Sequence, residues 1–97
     1  MGEVAFEYVV RTLQKTDETY LIEVERAPGH WMAMVRLPDG KYWNMDRFDP
    51  RAPALPKQWV GGTAAAAADY AARVLINWFA NERMEVVRRT YRLGEKG

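Results

Sequence analysis

The sequence predicts an α+β domain: an antiparallel sheet of about four strands packed by one long amphipathic helix. Three observations lead there. Apolar and polar residues alternate in "TYLIEVER", "HWMAMVRL" and "MEVVRRTYRL"; short turn sequences, "APG" and "LPDG", punctuate the middle of the chain; and a single run, "AAAAADYAARVLINWFANER", has helical spacing.

"VAFEYVVRTLQ" opens the chain with two readings. Val4, Ala5, Tyr8, Val9 and Thr12 fit a helical stripe, whereas the many β-branched and aromatic residues suit a strand; the helical reading is preferred here. "TYLIEVER" sets Tyr20, Ile22 and Val24 on one face and Glu23 and Glu25 on the other, a half-buried strand. After "APG", the stretch "HWMAMVRL" is apolar on both faces and therefore suits a central strand. "LPDG" has the proline, aspartate and glycine of a type I turn, so a hairpin over residues 30–46 is expected. The proline-rich "RFDPRAPALPKQWVGG" suits neither a helix nor a central strand.

Thr63 offers an N-cap to the helix. Ala67, Tyr70, Ala71, Val74, Leu75, Trp78 and Phe79 form its expected apolar stripe, and Asp69, Arg73 and Asn77 lie opposite, with Asp69 and Arg73 as an i,i+4 pair. The alanine run is in phase with the stripe, which predicts close helix–sheet contact. A last strand and a polar tail, residues 94–97, finish a single domain over residues 1–97.

Composition bounds the chemistry. With 97 residues, 48% hydrophobic and 28% charged, the chain suits one small soluble domain. A net charge of +1 predicts neither nucleic-acid nor membrane binding by itself. No apolar run suits a membrane span, and the first residues lack the zones of a signal peptide, so an intracellular protein is expected. Without cysteine, and with one histidine, neither disulfides nor a zinc site is expected; no metal and no cofactor is called for.

The chemistry-bearing feature is the hairpin. His30 and Asp46 have the same strand parity, and a register with Leu37 opposite Gly40, or slipped by one, sets His30 against Asp46 or Arg47. A carboxylate there would hold the imidazole in one tautomer, with Asn44 as a further hydrogen-bond partner. The stretch "GHWMAMVRLPDGKYWNMDRF" resembles the signature of Josephin domains, papain-like cysteine proteases that remove ubiquitin: His-Trp opens a strand, and aromatic-Asn-hydrophobic-Asp comes after the turn. "LPKQWVGG", the helix and "EVVRRTYRL" are similar to the segments downstream of the histidine strand in that family, so the likeness covers residues 20–93. It implies the C-terminal half of a papain-like fold, with His30 in the place of the general base and Asp46 in that of its orienting acid. The family's upstream half, with its nucleophilic cysteine, has no counterpart. Gln14 and Thr19 imitate its glutamine-to-nucleophile spacing, but Thr19 leads into a strand and has no base beside it.

Three readings are open. The first is a catalytically inactive Josephin-like interaction module, or accessory subunit of a larger assembly, with a protein partner. Ubiquitin or a ubiquitin-like protein is the ligand the resemblance implies. Four tryptophans and five tyrosines exceed what a small core readily hides, and Trp59, Trp31 and Tyr42 are the candidate partner-binding aromatics. The second is half of a split thiol hydrolase, completed by a cysteine-bearing partner around His30 and Asp46. The third is nucleic-acid binding through Arg88, Arg89 and Arg92 of the last strand, although Arg88 and Arg89 point to opposite faces.

Overall fold

The computed structural model describes residues 2–44 and 56–93. Among these residues the chain forms β1 (Glu3–Arg11), β2 (Asp17–Ala27), β3 (His30–Arg36), β4 (Trp59–Gly61), α1 (Ala64–Asn81) and β5 (Glu85–Tyr91). The α+β class with an antiparallel sheet and one helix is as expected; the sheet has five strands, in the order β4-β3-β2-β1-β5. No helix among the described residues is long and apolar enough to cross a membrane.

The N-terminal element is a strand, against the helical preference. β1 lies between β2 and β5 and pairs antiparallel with both. Residue Ala5 is an extra residue between the pairs Val4↔Glu23 and Phe6↔Ile22, and the bulge puts the consecutive residues Ala5 and Phe6 into the core. That defect in the two-residue repeat is what made the segment look partly helical.

Register assigns every other side chain to one of two faces. Tyr8, Tyr20, Ile22, Val24, Ala33, Val35 and Trp59 turn toward α1 and are buried. The helix begins as expected, with Thr63 Oγ1 accepting from the Ala66 N–H at 3.0 Å. Its buried residues are Ala67, Ala68, Ala71, Ala72, Leu75 and Phe79, so the apolar stripe is rotated from the expected one: Ala68 and Ala72 face in, while Tyr70 is 49% exposed. Small residues bring the layers close together. A Cβ placed on Gly61 would stand 2.5 Å from the backbone nitrogen of Ala67, so β4 and α1 approach as only glycine permits.

α1 lies chiefly over β4, β3 and β2, and β5 is left as an edge strand with nearly every residue exposed. Between the pairs Val9↔Arg88 and Val10↔Val86, β5 carries one extra residue, Val87. A bulge and a run of arginines are ordinary means by which an edge strand avoids pairing with a copy of itself.

The two predicted turns form. Pro28-Gly29 joins β2 to β3, with Gly29 at φ 78°. After β3 the Gly40 N–H donates to the Leu37 carbonyl at 2.9 Å and the Leu37 N–H to the Lys41 carbonyl at 2.7 Å; Gly40 has φ 87°. The loop thus closes on Leu37 and Lys41, not on Leu37 and Gly40.

Candidate functional site

Because α1 occupies one face of the sheet, the other carries the remaining side chains of β1, β2 and β3. His30, Met32, Met34 and Arg36 succeed one another along β3 on this helix-free face. Glu23 lies opposite Met34, Leu21 opposite Arg36, and Val60 of β4 opposite Met32. Tyr42, bridged to Arg36, extends the same face beyond the hairpin turn.

Its centre is an ionic cluster. Glu23 is 6% exposed, and its carboxylate accepts from Arg36 Nε at 2.7 Å, from Arg36 Nη2 at 3.4 Å and from the Tyr42 hydroxyl at 2.6 Å. Arg36 also donates through Nη2 to the Tyr42 oxygen at 2.6 Å and through Nη1 to the Gly40 carbonyl at 2.8 Å. Burial alone would push the Glu23 carboxyl up, but the hydrogen bonds from Arg36 and Tyr42, with the Arg36 charge, outweigh it and hold the group below the usual range. Donating to Glu23, helped by burial, pushes the Tyr42 phenol up. Carboxylate, guanidinium and phenol satisfy one another, so the cluster pins the hairpin's return arm to β2.

The residues singled out from the sequence divide around this cluster. His30 stands at the start of β3, half-buried, opposite Ala27. Asn44 bridges Pro56. The Trp43 N–H donates to the Val35 carbonyl, which sets Asn44 near Met34, roughly 13 Å along β3 from His30 at ~3.3 Å per residue. Asn44 is therefore not a partner for the imidazole. Asp46 lies outside the described residues. Within the described residues the hairpin pairs Arg36 with Tyr42, where the expected register pairs Arg36 with Gly40 or Lys41. From Trp31 to Ala33 the strand beside β3 is β4.

The aromatic residues also separate. Trp59 is 6% exposed, in the core opposite Ala33, whose small side chain leaves room for the indole, with Lys57 Nζ 6.0 Å from its ring centroid. That burial removes the exposure on which its expected role in partner binding rests. Trp31 is half-buried on the helix side, with the Arg26 guanidinium 5.9 Å from its ring. Of the three, Tyr42 lies on the helix-free face.

On β5 the arginines split as their alternation requires. Arg88 and Arg92 reach the same Glu7 carboxylate, at 3.6 and 3.9 Å, while Arg89 lies over the Phe6 ring at 4.8 Å and near that of Tyr8. They form no single basic strip. Asp69 and Arg73 make no ion pair, contrary to expectation.

Glu23 and Arg36 are what sequence reasoning missed. Their only signal is parity: with the hairpin register known, Glu23, Arg36 and Tyr42 fall on one face, but alternation alone assigns Glu23 to solvent. No group of three or more potential metal-ligating residues occurs among the described residues. A scan against protein-family models, a search of curated proteins and a search of solved structures find no match for the chain.

Proposed function

We propose that the protein is a non-catalytic interaction module, an accessory subunit of a larger protein assembly, and that it docks through the helix-free face of its sheet. The observation that carries this reading is the make-up of that face. Among the described residues no helix or strand packs on it. It presents Val60, 52% exposed, beside half-buried Met32; farther along the face, past buried Met34 and Glu23, half-buried Leu21 lies against the preorganised Arg36–Tyr42 pair. Methionine, arginine and tyrosine around an apolar patch are the composition of protein interfaces. A side chain already fixed by Glu23 loses little freedom on docking.

The absence of cysteine and serine supports a module without its own nucleophile, and the separation of His30 from Asn44 removes one support of a preassembled base. The Josephin resemblance makes a ubiquitin-like fold the first ligand to try.

The test uses the native assembly and a paired variant, Met32→Lys with Val60→Asp. The expected result is that the wild-type chain isolates with a stoichiometric partner, and that the variant loses it by at least tenfold in affinity with its melting temperature unchanged. Full retention of the partner by a folded variant would sink this docking face. Titration of isotope-labelled protein with ubiquitin, read at Met32 and Val60, reports on the ligand class separately.

A further inference from the structure

The sheet has two edges, and they differ in kind. β5 carries arginines and the interruption at Val87, both of which discourage a further strand. β4 has neither: residues 58–62, Gln-Trp-Val-Gly-Gly, are uncharged, and β4 pairs with β3 in an unbroken register.

The main chain of β4 is also open. The Leu37 N–H donates to the Lys41 carbonyl and the Trp43 N–H to the Val35 carbonyl, so the odd-numbered residues of β3 turn their N–H and C=O groups toward this edge. Trp31 and Ala33 therefore bond Gly61 and Trp59, and Val60, opposite Met32, points its own N–H and C=O out of the sheet. Among the described residues no strand lies beyond β4 and neither group of Val60 has a partner. Apolar side chains flank the open main chain on both faces. Val60 is 52% exposed on the helix-free face; on the other, Gly61 lies against the backbone of Ala66 and Ala67, so Tyr70, one turn after Ala66, overhangs the same edge and is 49% exposed.

We propose that β4 pairs with β4 of a second copy, antiparallel about a two-fold axis at Val60, so that two sheets join into one of twice the width. Symmetry selects this occupant. About that axis each Val60 exchanges N–H and C=O bonds with the same residue of the copy, a favourable β-branched pair, and Gln58 falls opposite Gly62, which has no side chain to obstruct it. A self-paired strand brings each charge close to its like, which the uncharged β4 tolerates and the arginines of β5 do not. Both outer edges of the joined sheet are then β5, so the assembly closes at two copies. Pairing at this edge goes beyond docking through the helix-free face, and it sets two such faces side by side.

Sedimentation equilibrium of the isolated full-length chain, from about 10 µM to about 1 mM, measures the pairing. The expected result is a reversible rise in mass from 11.2 kDa towards twice that value. Hydrogen exchange locates it: the Val60 amide slows about tenfold over the same range, while the amides of β5 keep their rates. Val60→Lys sets two like charges at the axis on a side chain exposed in the single copy, and Val60→Pro removes the outward N–H while leaving the bonds of Trp59 and Gly61 to β3 in place. Both variants are expected to stay monomeric throughout; Val60→Lys keeps the test decisive where the proline disturbs β4. A wild type still monomeric at about 1 mM, a dimer whose Val60 amide exchanges as fast as the monomer's, or a folded Val60→Lys that still dimerises would each overturn the proposal. Protection of Val60 in the native assembly alone, with the isolated chain monomeric, assigns the edge to a strand of another protein and likewise overturns pairing between copies. Because the isolated chain is measured, none of its outcomes depends on the partner of the helix-free face.

Discussion

β2 and β5 both alternate in the sequence and both carry arginine and glutamate, yet they occupy opposite situations. β2 is an interior strand, paired on both sides and covered by α1, with Tyr20, Ile22, Glu23 and Val24 all buried. β5 is an edge, and Val86, Val87 and Tyr91 remain 38%, 45% and 41% exposed. The same amino-acid types therefore hold the protein together in one strand and decorate it in the other. Alternation predicts that a segment is a strand; its neighbours decide what each side chain is worth.

The sharpest way to break this comparison is to truncate one aliphatic side chain in each strand. Ile22→Ala empties a fully buried position and is expected to cost about 2–5 kcal/mol, whereas Val87→Ala stays within roughly 0.5 kcal/mol. Urea unfolding at pH 7 measures both, and equal losses would mean that β5 is packed as tightly as β2.

A smaller effect distinguishes the acidic residues. Glu23 has a depressed pKa in the folded chain, so its contribution to stability is present above its unfolded value, near pH 4.3, and is lost as pH falls through its folded value. Glu23→Gln is expected to cost about 1–2 kcal/mol at pH 7 and to flatten the decline in stability between pH 5 and pH 3. A variant whose acid denaturation profile runs parallel to the wild type would contradict the cluster's role.

The smallest effect is expected at Glu7→Gln. Glu7 meets Arg88 and Arg92 at long range, and Arg88 is 65% exposed, so the change should alter stability by less than ~0.5 kcal/mol, and by still less in high salt. Salt series of thermal unfolding curves for both proteins would show it.

Much of the fold was legible because local signals agreed with one another. Thr63 caps where an N-cap was expected, Pro28-Gly29 and Leu37-Pro38-Asp39-Gly40 turn where turn residues occur, and β2, β3, α1 and β5 obey their periodicities. β1 was harder, since the Ala5 bulge places two consecutive residues in the core and an interior strand presents apolar residues on both sides. The candidate site was less legible still. A hairpin's register depends on one glycine at φ 87°, and closing the loop on Lys41 moves Asn44 along the strand from His30 and brings Tyr42 to Glu23. Trp59 was hard to read, as an interface anchor or as a plug folded back over the sheet, because its burial requires both the small Ala33 opposite it and a helix above it, neither of which is encoded within its own loop.

The extra residue in β5 has a consequence for how the protein behaves when crowded. A strand with an even repeat can serve as a template for its own copy, and each chain added offers the next an identical edge. At Val87 the repeat is interrupted, so a copy laid against that edge meets its spacing correctly on one side of the interruption and falls out of step on the other. A bulge of this kind disfavours growth by addition to the β5 edge. An exposed strand interrupted in this way is a poorer template for a fibre than an even one.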